Sequence, residues 1–143
     1  MTSMNFLNVS MVVFFLLLFG FGIYVAFFRK RVVFSLQDVE MIRMRFADLD
    51  KKLHWDPRFV VTEGDKLLNF LFMKLGYRGS LGDSLKKAGK QFSNEQDLWR
   101  AHKLRNSLAH ELGANVDIKA ARVALKAYRS AFEQCGISFP SNE

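Results

Sequence analysis

From Met1 to Phe28 the chain carries no Asp, Glu, Lys or Arg, and all 35 of its charged side chains follow from Arg29 onward. That asymmetry divides the chain into two solvent regimes and constrains everything after it. The run Phe6–Phe28 is apolar apart from Asn8, Ser10 and two glycines. As a helix it would be roughly 35 Å long, which suits a hydrocarbon core of about 30 Å. It stops at Arg29-Lys30-Arg31, whereas no basic side chain precedes it. The positive-inside rule then predicts a single N-terminal transmembrane helix, its N-terminus outside and the rest of the chain at the cytoplasmic face of the plasma (inner) membrane, with the lipid bilayer as one partner. A cleaved signal peptide would place its charge before a shorter apolar stretch and end on small residues, unlike Val25-Ala26-Phe27-Phe28. Gly22 and Ala26 form a small-xxx-small pair, a spacing common in such helices for reasons of composition alone.

Beyond the basic triplet, apolar residues recur every three or four positions. Leu36, Val39, Ile42, Phe46, Leu49 and Leu53 make one face of a helix over about 35–53, broken at His54-Trp55-Asp56-Pro57, where Pro57 suits the start of the next. Val61, Leu67, Leu68, Leu71, Phe72 and Leu75 stripe a second helix that Gly76 ends. A glycine-rich connector and a short amphipathic turn, 81–88, follow. Leu98, Ala101, Leu104, Leu108 and Leu112 stripe a third long helix, with Ser93 or Asn94 as its cap and Gly113 as its end. Ile118, Ala121, Leu125, Tyr128, Phe132 and Cys135 stripe a fourth, capped by Asp117 and ended by Gly136. No segment alternates with period two. The expected fold is all-α: the N-terminal membrane helix, then a four-helix bundle with one extra short helix. The expected divisions are 1–31 as anchor, 32–57 as juxtamembrane helix, 58–136 as helical domain and 137–143 as a frayed tail. Trp55 and Trp99 are expected as core anchors.

The net charge is +7, of which residues 29–31 supply +3, so the remainder is a mild +4. Such a balance suits an anionic surface or nucleic acid without selecting either. The single cysteine, Cys135, excludes an intramolecular disulfide and favours a reducing compartment. No metal-ligand cluster appears, and among His54, His102 and His110 no pair has the i, i+4 spacing of a helical metal site, so no metal or other cofactor is expected. Phosphate-binding glycine loops and a nucleophile elbow are also missing.

The chemistry concentrates on the third helix, Leu98-Trp99-Arg100-Ala101-His102-Lys103-Leu104-Arg105-Asn106-Ser107-Leu108-Ala109-His110-Glu111. His102, Asn106 and His110 share one stripe at i, i+4 spacing, beside the apolar face. Arg105 projects from a neighbouring direction, with Arg100 and Lys103 flanking it. An imidazole titrates near neutrality and can move a 2′-hydroxyl proton, a guanidinium can hold a phosphate and offset developing charge, and an amide can orient either. Each also has a plainer role: Arg105 and His110 as solvated surface, Asn106 as a tie between helices, His102 as a boundary residue.

Arg105-Asn106-Ser107-Leu108-Ala109-His110 resembles the Arg-x4-6-His motif of the HEPN superfamily, with a polar residue directly after the arginine. The resemblance extends over roughly 58–136, with Glu63 and Asp65 on the helix before the connector. Asp65-Lys66-Leu67-Leu68 and Leu98 to Asn106 are also similar to small membrane-anchored bacterial proteins of unassigned role. HEPN domains are helical bundles, many of them metal-independent ribonucleases that pair their sites across a dimer, others interaction modules. The resemblance implies Arg105 and His110 as a catalytic pair supported by Asn106; Arg100, His102 and Lys103 are candidate binding residues beside them. The reading is a membrane-anchored HEPN-like module that holds a protein or nucleic-acid partner. Its alternative is a metal-independent endoribonuclease acting on RNA as a homodimer, and a third reading is a purely structural oligomer.

Overall fold

A computed structural model describes residues 2–28 and 33–140. It contains six α-helices, and among the described residues no strand: α1 (Thr2–Phe28), α2 (Leu36–Lys52), α3 (Pro57–Lys74), α4 (Leu81–Ala88), α5 (Glu95–His110) and α6 (Ile118–Gln134), with a 3-10 turn at Gly89–Gln91. The chain separates into two compact units, Met1–Arg31 and Val32–Glu143.

The expected membrane-spanning helix, and the inner-membrane localisation built on it, do not stand. Among the described residues no helix is long and apolar enough to cross a membrane. Helix α1 is continuous, but its side chains are described only from Val9 to Ile23. The expected basic stop, Arg29–Arg31, lies outside the described residues.

In the second unit, local chemistry sets the helix starts. Ser35 and Asp38 form a reciprocal capping box: the Ser35 hydroxyl accepts from the Asp38 amide at 3.1 Å, and the Asp38 carboxylate accepts from the Ser35 amide at 3.1 Å. Lys74 donates to the same carboxylate at 2.8 Å, tying α3 to α2 and holding Asp38 below its usual carboxylate range. Asp56 caps α3, and Pro57 occupies its first turn, where no amide hydrogen is needed. Asp117 caps α6 through the Ala120 amide at 2.6 Å. The sequence suggests Ser93 or Asn94 as the cap of α5; Asn94 holds the N-cap position, but its side chain makes no capping bond. It donates to the Ala127 carbonyl at 3.0 Å and accepts from Gln134 at 2.9 Å, joining α5 to α6.

Helix α3 is the central element, packing on α2, α5 and α6. Val60, Val61, Leu68, Leu71 and Phe72 on α3 are fully buried, as are Ile42 on α2, Leu98 on α5 and Tyr128 and Phe132 on α6. The α3–α6 approach depends on Gly64: a Cβ there would overlap Tyr128 Cδ2 and Cε2. Arg129 joins α6 to α2 through Asp50 at 2.6 Å and lies over the rings of Phe46 and Phe139.

Three apolar residues depart from the periodic reading. Leu112 is fully exposed, because α5 ends at His110 and its stripe ends with it. Leu36 is 90% exposed in the first turn of α2, beyond the reach of α3. Trp55 is 89% exposed in the turn before α3 rather than anchoring the core, whereas Trp99 packs against it. The tail, expected to fray after Gly136, is docked as far as it is described. Ile137 is buried, Phe139 meets Phe46 edge-on at 4.8 Å, and Arg43 donates to the Ser138 carbonyl at 2.9 Å and hydroxyl at 3.0 Å.

Replacing Gly64 with alanine ordinarily favours a helix by up to about 1 kcal/mol. Against the Tyr128 ring it is expected instead to destabilise the bundle by about 1–3 kcal/mol, the usual cost of overpacking, read as a lower urea midpoint at unchanged slope.

Candidate functional site

Asp65 sits within the apolar stripe of α3, one helical turn from both Val61 and Leu68, and is only 5% exposed. An isolated carboxylate there would cost several kcal/mol, so its partners decide whether it is tolerated. Both come from α5. His102 Nδ1 lies 2.9 Å from Asp65 Oδ1, and Arg105 Nε lies 3.4 Å from Asp65 Oδ2 as an ion pair. His102 and Arg105 are three residues apart on one helix, so a single carboxylate can reach both.

Asn106 completes the cluster. Its amide faces His102 Nε2 at 3.2 Å, and its oxygen accepts from Arg105 Nη1 at 3.1 Å. Asn106 therefore binds within its own helix rather than tying neighbours together. His102 is buried rather than at a boundary, with the edge of Trp99 against its ring. On the α4 side, a Cβ at Gly82 would lie 3.5 Å from His102 Nε2, so that nitrogen faces a position without a side chain. At the end of α5 the Arg58 guanidinium donates to the Leu108 carbonyl, satisfying one of the acceptors that a helix C-terminus leaves open. Helix α3 thus holds α5 at mid-length and at its end.

The sequence-derived residues distribute unevenly around this cluster. Arg105, Asn106 and His102 belong to it. His110 does not: it is exposed in the last turn of α5. Five residues along a helix turn a side chain by about 140°, so Arg105 and His110 point apart within one chain. Lys103 is exposed, and Arg100 is exposed and paired with Asp97 at 3.0 Å. Among the described residues no three His, Cys, Asp or Glu side chains gather as metal ligands.

The resemblance places Asp65 on the helix before the connector but gives it no role at the site, because the Arg–His motif lies on another helix. Its signal was present as a carboxylate at an apolar-stripe position. Tyr128, on α6, is within electrostatic range of Asp65. Burial first, and the Asp65 charge second, push its phenol well above the usual value, and Arg105 opposes them. Cys135 is pushed up to about 11 by burial, which makes it a poor nucleophile at neutral pH.

Asp65→Ala leaves the His102 N–H and the Arg105 guanidinium without their buried acceptor. It is expected to cost about 3 kcal/mol in urea denaturation, whereas His110→Ala stays within about 0.5 kcal/mol. The raised Tyr128 phenol contributes stability that is complete below its unfolded value and is lost as pH rises. Wild type should therefore lose stability above about pH 10, and Tyr128→Phe should flatten that loss, with Cys135 contributing an earlier decline from about pH 9 in both proteins. No family model matches the chain, and no curated protein or solved structure does either.

Proposed function

We propose that the bundle is a HEPN-like module that holds an anionic partner, nucleic acid or acidic protein, through the Arg105 side of α5. The observation that carries this reading is the pairing of Arg105 with Asp65 and Asn106, while the exposed His110 projects from a different part of the helix. A guanidinium held by two neighbours, with a third of its side chain still exposed, is preorganised for binding. General-base catalysis needs an imidazole within reach of the same phosphate; His102, beside Arg105, is buried and paired with Asp65, and His110 points away.

Charge supports an anionic partner. Lys103 on α5 and Lys119, Arg122 and Lys126 on α6 are all exposed. The last three fall at i, i+3, i+7 and so line one face of α6.

The test mixes full-length protein with fluorescently labelled single-stranded RNA in EDTA, reading anisotropy for binding and a denaturing gel for cleavage. Expected is saturable binding with intact RNA, weakened about tenfold or more by Arg105→Ala, as for loss of a charge-assisted contact, and little changed by His110→Ala. Cleavage by wild type but by neither variant would overturn this reading in favour of a dimeric endoribonuclease using both residues. Absence of RNA binding would leave an acidic protein as the partner.

A further inference from the structure

The four polar side chains between α3 and α5 form a closed ring. Asp65 meets His102 at 2.9 Å, His102 meets Asn106 at 3.2 Å, Asn106 accepts from Arg105 at 3.1 Å, and Arg105 returns to Asp65 at 3.4 Å. Two corners have fixed polarity: a carboxylate only accepts and a guanidinium only donates. Since Arg105 only donates, Asn106 must turn its oxygen towards Arg105 and its NH2 towards His102. His102 must then accept at Nε2 and donate from Nδ1 to Asp65. All four contacts are satisfied by one state of the imidazole, uncharged with its proton on Nδ1.

A second proton, on Nε2, sets N–H against N–H at Asn106. Turning the amide over does not remove the conflict but moves it to Arg105. Tyr128 of α6 also lies within electrostatic range of Asp65 and Arg105, and its raised phenol stays neutral over the range in which an imidazole titrates. On α4 the Gly82 position lies against Nε2, and it brings no charge.

We propose that His102 is a positioning residue under proton control. Uncharged, it fixes the Asn106 amide and through it the Arg105 guanidinium. Protonated, it breaks the ring at Asn106 and frees one edge of Arg105 from its hydrogen bond. The partner-binding side of α5 is then presented differently in acid than in alkali. This inference rests on the reading that α5 engages its partner through Arg105, but the ring itself is testable without a partner.

The experiment is 15N NMR of the full-length chain across a pH series, following the His102 ring nitrogens, the Asn106 side-chain amide and the Arg105 Nε–H. In alkali, His102 should show the Nδ1–H tautomer. On acidification, the Asn106 and Arg105 signals should move with the same midpoint as the ring. Asn106→Ala removes a hydrogen bond to the uncharged ring and should move that midpoint upward by about half a unit or more. His102→Gln should hold the Arg105 signal constant over the same range. An uncharged His102 carrying its proton on Nε2, or an Arg105 signal that stays still while His102 titrates, would overturn the proposal. The wild-type tautomer decides the matter even if a variant does not fold. Because no ligand enters, failure here is separable from failure of RNA binding.

Discussion

A carboxylate held inside an apolar helix stripe is the constraint on which the bundle's interior depends. Asp65 can remain there only while α5 supplies hydrogen-bond donors opposite it, and α5 supplies them from two successive turns. The rotation and axial position of α5 against α3 are therefore set by polar contacts in a way that leucine packing alone would leave looser. Leu98 and Leu108 fill the space on either side, but one apolar side chain can replace another at modest cost, whereas a carboxylate can face only a donor. The Arg58 contact to the Leu108 carbonyl fixes the same pair of helices a second time, near the end of α5.

Much of the helical architecture was legible in the sequence because the second unit obeys a simple rule: apolar residues at three-and-four spacing face the core. Ile42, Phe46 and Leu49 on α2 and Ala121, Leu125, Tyr128 and Phe132 on α6 are buried as that spacing requires. Where the rule failed, the cause was local. Leu112 and Leu36 continue a stripe beyond the turn where a neighbour can cover it. Trp55 is large and apolar but lies in a turn with no facing element. Asn94 has the composition of a cap, yet it found better partners on α6. Composition also overreached at the N-terminus: the uncharged run suggested a membrane span, but among the described residues no helix is long and apolar enough to be one.

The candidate site was legible only in part. Motif reading isolated Arg105, Asn106 and His102 on one helix, and these three do meet. It could not supply Asp65, because a contact between residues 65 and 102 is a property of packing rather than of spacing. Nor could it show that His110, five positions from Arg105, faces elsewhere. A linear motif records distance along the chain; helical rotation decides which of its members can act on the same atom.

The docking of the tail against α2 sets the order in which this chain completes itself. Arg43 and Ser138 are 95 residues apart in sequence, yet they close the same surface, and Phe139 covers Phe46 there. A chain made from its N-terminus presents the Phe46 face of α2 long before Phe132 and Phe139, which cover it, exist, although α3 follows α2 at once. Helices α3 and α5 can pair earlier, but the aromatic surface shared by Phe46 and Phe132 stays open until Phe139 has been added. During synthesis, that aromatic face of α2 therefore waits for residues 137–139, long after α2 and α3 have met.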